Sequence, residues 1–83
     1  MSWLINNNKL EKEFVLNSFS DIIEKLNETS IIADLLNHHP DFLVYDYKKI
    51  KFSLCTHDNG NKVTEKDYLL AERLDSIFEL TVN

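Results

Sequence analysis

From Phe19 to Leu36 the apolar residues Phe19, Ile22, Ile23, Leu26, Ile32, Ala33 and Leu36 recur at intervals of three, four and seven or their sums. This spacing predicts one long helix with a single apolar stripe. The chain has 83 residues, and a domain of that size buries only about 60 to 65% of the surface its unfolded chain exposes. Everything else must therefore present apolar faces to that stripe. Ser18 or Ser20 can cap the helix start, where Asp21 also suits the positive end of the dipole. The helix is expected to run to about Asn37. Pro40 cannot continue it, and its ring disfavours helical geometry at His39.

The flanking segments alternate instead. Trp3 to Ile5 can be extended, Asn6-Asn7-Asn8 suits a turn because Asn tolerates left-handed backbone, and Leu10 to Leu16 predicts a second strand. Beyond the helix, Phe42 and Val44, then Ile50, Phe52 and Leu54, predict two half-buried strands joined by a tight turn near Asp46 to Lys48. If the last strand stays regular, His57 shares a face with Lys51, Ser53 and Cys55, away from the main core. His57 to Asn61 is rich in turn residues, and Thr64-Glu65-Lys66-Asp67 opens a final helix with a capping-box pattern in which Asp stands for Glu. Leu70, Leu74, Ile77 and Phe78 form its buried stripe, while Tyr68, Leu69 and Leu80 fall partly off it, where a subunit contact can form. The expected fold is α+β, a single domain over residues 1–83 in the order β-β-α-β-β-α. Its helices pack on one face of a four-stranded antiparallel sheet.

Charge and composition narrow the function. A net charge of −5 with no dense basic block argues against nucleic-acid binding, since Lys48, Lys49 and Lys51 suit the solvent side of a hairpin. No apolar run approaches the ~20 residues needed to cross a bilayer, and the N-terminus lacks a secretory core, so no membrane role and a cytoplasmic location are expected. Cys55 is the only cysteine, which excludes an internal disulfide and suits a reducing compartment.

All three histidines fall in two short signatures, Asn37-His38-His39-Pro40-Asp41 and Cys55-Thr56-His57-Asp58, beside the only Pro and the only Gly, Pro40 and Gly60. Imidazole both gives and takes protons near neutral pH. A helix C-terminus accounts for one histidine through its dipole but not for two in a row. Asp34, one turn before His38, can hydrogen-bond that imidazole and fix its tautomer. Zinc could draw donors from His38 or His39, His57 and Asp34 or Asp58, but adjacent histidines rarely aim at one ion, so no metal is expected. Cys55 lacks an evident oxyanion hole for nucleophilic work. General acid and base catalysis by imidazoles, without cofactor, is the chemistry left, and dehydration of a carbinolamine suits it.

Asp34, His38-His39-Pro40, Tyr47, Thr56-His57-Asp58 and Thr64-Glu65-Lys66-Asp67 with Leu70-Ala71 together resemble the pterin-4a-carbinolamine dehydratases. Trp3, Phe14, Leu16 and Phe19 are similar to that family's opening segment. The resemblance implies a homodimer or homotetramer that dehydrates 4a-hydroxytetrahydrobiopterin to quinonoid dihydropterin, recycling the pterin cofactor of aromatic amino-acid hydroxylases. It also implies His38, His39 and His57 as catalytic residues. Asn37, Cys55, Thr56 and Asp58 would contact the pterin, and Asp34, where the family more often has Glu, would support His38. Asp67 suits a helix cap better than a reacting group. Lys48 departs from the family's usual Asn, and the loop from Asn59 to Val63 is one residue longer, with Asn61 replacing a second Gly. Because animal members also serve as dimerisation partners of a transcription factor, a non-catalytic scaffold is the rival expectation, and molybdopterin metabolism is an alternative setting.

Overall fold

The structure, a computed structural model, describes residues 2–79. The elements run β1 (Leu4–Asn6), β2 (Lys9–Val15), α1 (Phe19–Leu36), β3 (Asp41–Tyr45), β4 (Lys49–Leu54) and α2 (Glu65–Glu79), with one 3-10 turn over His57–Asn59 before α2. The strands form one antiparallel sheet in the order β1-β2-β4-β3. This is the expected β-β-α-β-β-α arrangement. Asn7 and Asn8, both left-handed at φ 53° and 63°, make the β1–β2 turn, a geometry that matches the twist of the strands it joins.

Alternation puts Leu10 and Phe14 of β2 beside Leu54 and Ile50 of β4 on one face. Leu70, Leu74, Ile77 and Phe78 of α2 and Ile22 of α1 close over that face. Phe78 stacks on Phe14 with ring centroids 5.1 Å apart and meets Phe52 edge-on at 5.2 Å. Such pairs add about 0.5–1.5 kcal/mol each beyond the area they bury.

Several expectations need correction. The buried line of α1 runs through Ile22, Thr29 and Ala33, with Leu26, Ile32 and Leu36 partly covered. Thr29 is tolerated inside because its hydroxyl donates to the Lys25 carbonyl at 2.8 Å. Phe19 and Ile23, expected in the stripe, are exposed, and with Ile31 and Leu35 they draw a second apolar line on the outer side of the helix. β3 lies at the sheet edge, so Phe42 stays half exposed. β4 ends at Leu54, and with regular alternation lost Cys55 turns inward and is buried, not outward beside Ser53. Tyr68 and Leu69 are exposed on α2, and Leu80 lies outside the described residues. Among the described residues no helix is long and apolar enough to cross a membrane.

Lys12 occupies a position on the core face of β2 that the apolar pattern leaves unexplained. Its Nζ donates to Asp75 Oδ1 at 2.8 Å and Glu79 Oε1 at 2.5 Å, and Trp3 Nε1 donates to the same Asp75 oxygen at 2.9 Å. The chain start is thereby pinned to α2. Burial opposes the Lys12 charge, but the hydrogen bonds to Asp75 and Glu79 outweigh it and hold the pKa above the ordinary 10.5. A lysine whose folded pKa is raised stabilises fully below its unfolded pKa, and the contribution disappears as pH rises through the folded value. Urea midpoints are therefore expected to fall above about pH 10.5, and Lys12→Met should flatten that alkaline slope. An unchanged slope in the variant would assign it to other groups.

Candidate functional site

The site is assembled where α1 ends, β4 ends and α2 begins. Asn37 caps α1 in left-handed conformation at φ 50°. Its N–H donates to the Asp34 carbonyl at 3.2 Å, and the His38 N–H donates to the Ala33 carbonyl at 3.1 Å. These two bonds are the Schellman pattern, which satisfies the last carbonyls and reverses the chain. The reversal decides where the adjacent histidines go.

His38 swings towards α2, where its Nε2 meets Asp67 Oδ1 at 2.6 Å. Asp67 is fully buried, so its carboxylate must find partners inside the protein. Its other oxygen accepts from Thr56 Oγ1 and from the Thr64 backbone N–H, each at 2.9 Å. Thr64 Oγ1 lies 2.6 Å from Thr56 Oγ1, and since Thr56 donates to Asp67, the Thr64 hydroxyl donates to Thr56. The capping box is thus half formed: the carboxylate reaches back to the first N–H, as the sequence pattern requires. Its second oxygen orients an imidazole.

His39 folds back over α1, with Nε2 2.8 Å from Asp34 Oδ1. The expected pairing of Asp34 with His38 is therefore corrected, because the Schellman turn carries His38 away and returns His39. Both members of this pair are largely exposed. An acidic residue near the negative end of a helix dipole is unfavourable, and the last turn of α1 has no basic residue to offset it. Its hydrogen bond to His39 gives Asp34 a purpose that helix stability does not.

His57 stands on the 3-10 turn, exposed as expected, with Nδ1 2.7 Å from Asn61 Oδ1. The Thr56 N–H donates to the Lys62 carbonyl at 2.8 Å and closes the loop. Gly60 at φ 72° and Asn61 at φ 60° supply the left-handed steps that bring the chain back.

The three histidines, with Asn37, Thr56 and Asp58, line one cleft of about 310 Å³. Asp41 and Lys66 line it as well; the sequence gives neither a role, although Asp41 closes the first histidine signature and Lys66 belongs to the helix-start motif. Cys55 lines a separate cavity of about 510 Å³, with Asn7, Asn8 and Lys9, on whose wall His57 and Asn61 also lie. Among the described residues no group of three or more His, Cys, Asp or Glu side chains is arranged to hold a metal ion. Each imidazole has one nitrogen engaged by a protein oxygen and the other without a protein partner among the described residues. Such rings offer a lone pair when neutral and a proton when charged.

The family model for pterin 4 alpha carbinolamine dehydratase matches residues 1–77. The chain belongs to the pterin-4-alpha-carbinolamine dehydratase family. A relative from Sulfolobus acidocaldarius, provisionally named pterin-4-alpha-carbinolamine dehydratase, is 41% identical over 75 residues, 90% of this chain and 80% of that one. One from Prochlorococcus marinus with the same provisional name is 34% identical over 76 residues, 92% of this chain and 78% of that one. Among solved structures, a transcriptional coactivator/pterin dehydratase from Brucella melitensis superposes with a TM-score of 0.84 at 26% identity, covering 92% of this chain and 81% of that one. A pterin dehydratase-like protein described as a RuBisCO assembly factor of the alpha-carboxysome gives 0.75 at 18% identity, covering 93% of this chain and 89% of that one, and shares the fold.

Proposed function

We propose that this member of the pterin-4-alpha-carbinolamine dehydratase family is a catalyst that dehydrates 4a-hydroxytetrahydropterin, with its imidazoles as the acid and the base. The observation that carries this reading is the set of three imidazoles on one cleft, each held by one nitrogen and open at the other. The C4a–O bond breaks with its electron pair going to oxygen, which takes a proton from an imidazolium and leaves as water. The adjacent ring nitrogen forms the new C=N bond with its lone pair and gives its proton to a second imidazole. His38 and His39 each face a carboxylate, the natural counter-ion of an imidazolium, and one of them supplies the proton. His57 faces a neutral amide and accepts one. Asn37, Thr56 and Asp58 are proposed to contact the pterin on this cleft. Cys55 would contact it only through a substituent reaching the neighbouring cavity past His57. Recycling of the cofactor of aromatic amino-acid hydroxylases, in a cytoplasmic setting, is the proposed context.

The decisive assay generates the 4a-hydroxy intermediate with a pterin-dependent hydroxylase and follows its decay spectroscopically. Addition of the folded chain is expected to accelerate that decay; no acceleration would retire the catalytic reading.

The outer apolar line of α1 favours a partner-binding role alongside catalysis. Ile31 is 61% and Leu35 76% exposed there, and a second copy of the chain is the proposed cover, as a homodimer or homotetramer. Sedimentation of a pure monomer at micromolar concentrations would count against it.

A further inference from the structure

Of the three imidazoles on the cleft, two are held by carboxylates and one by an uncharged amide. The difference lies in Asn61. Its backbone is left-handed at φ 60°, a conformation Asn adopts more readily than most residues. The loop is closed on both sides of it: Gly60 N–H donates to the His57 carbonyl at 3.2 Å, and the Thr56 N–H donates to the Lys62 carbonyl at 2.8 Å. With the backbone held this way, the Asn61 side chain lies across the His57 ring, Oδ1 to Nδ1, at 2.7 Å. Asp58 follows His57 directly, yet its carboxylate makes no hydrogen bond or ion pair among the described residues, so the acceptor chosen for this ring is the neutral one.

An amide oxygen accepts and does not donate, so it can bond Nδ1 only when Nδ1 carries hydrogen. That leaves Nε2 of the neutral ring with a lone pair. His57 lines the cleft and the cavity beside it, so an unengaged Nε2 offers an acceptor to a ligand bound against the ring. Without the amide, neither tautomer nor ring orientation has a protein group to fix it.

We infer that Asn61 is a positioning residue that locks His57 in the Nδ1–H tautomer and thereby makes Nε2 the proton-accepting atom of the site. The inference rests on the dehydratase reading for its catalytic meaning, but the tautomer itself can be read without substrate.

Protein labelled with ¹⁵N-histidine, studied by long-range ¹H–¹⁵N correlation at about pH 8, where imidazole is mostly neutral, reports which nitrogen of His57 is protonated. The wild type is expected to show Nδ1–H. Asn61→Gly, which tolerates the same backbone conformation, should lose that signature while the fold persists. Asn61→Asp retains an acceptor oxygen and should restore it. In the decay assay, Asn61→Gly is expected to lower kcat about 3- to 10-fold with little change in KM, the size of losing one hydrogen bond. A wild type in the Nε2–H form, or an Asn61→Gly spectrum identical to wild type, would overturn the inference even if the protein is an active dehydratase. The expected tautomer in a protein that fails to accelerate decay would instead retire the catalytic reading and leave the lock standing.

Discussion

Replacement of His57 by Ala is expected to slow enzymatic decay of the 4a-hydroxytetrahydropterin about 100- to 10,000-fold, the range contributed by one well-placed acid or base. The unfolding free energy from urea titration should stay within about 0.5 kcal/mol of wild type, as for surface changes away from packed groups. That separation is possible because the ring is exposed and its one side-chain hydrogen bond goes to Asn61, itself exposed. His39→Ala should likewise lose activity without unfolding, since its bond to Asp34 is also exposed. A His57→Ala protein retaining more than about a tenth of the wild-type rate would fall outside that range and remove His57 from proton transfer.

Asp67→Ala is expected to be the most damaging single change to stability near the site. It deletes a fully buried carboxylate and strands the Thr64 N–H, the Thr56 hydroxyl and His38 Nε2 together. Removing one partner from a buried, hydrogen-bonded ionic cluster costs about 3–5 kcal/mol, and a domain of this size has roughly 4–12 kcal/mol in total. The melting temperature should therefore drop by at least about 12 °C. Asp67→Asn keeps one acceptor oxygen but turns an NH₂ group towards donors, so an intermediate loss is expected. A melting point for Asp67→Ala within about 4 °C of wild type, equivalent to 1 kcal/mol or less, would mean that water replaces the carboxylate and that the cluster is not dry.

Where the sequence carried a period or a stop signal, the fold was legible. Ser18 caps α1, its Oγ accepting from the Asp21 N–H at 3.1 Å, and the helix ends at Leu36 before Asn37 and Pro40 as the residues require. The alternation of Ile50, Phe52 and Leu54 placed β4 and its face. What escaped was set by geometry across elements. Asp67 is 29 positions from His38, and no local spacing announces that one oxygen of a cap serves a distant ring. The exchange of Asp34 from His38 to His39 follows from a turn whose left-handed residue, Asn37, is visible in the sequence but whose consequence for the next two side chains is not. Lys12 defied the apolar pattern because its partners come from α2, and Cys55 did so because the strand stops one residue before it. Residue type and motif single out the three histidines, and the family resemblance adds Asn37, Thr56 and Asp58, which line the same cleft, whereas Asn61 enters the sequence reading only as a departure in a loop.

The buried carboxylate at Asp67 also divides the cleft into a stiff wall and a compliant one. On its side, orientation has been settled during folding, and a ligand gains contacts there with little loss of side-chain freedom. On the side of His39, a bond between two exposed groups leaves more to be fixed, and part of that ring's rotamer entropy is surrendered only when a ligand arrives. Molecules that share a ring system but differ in substituents would then be sorted by how they fit against the stiff wall, while the compliant wall adjusts to each. Tighter inhibitors of this cleft should come from shapes that reach His39 already rigid, since on that side rigidity has not been built into the protein.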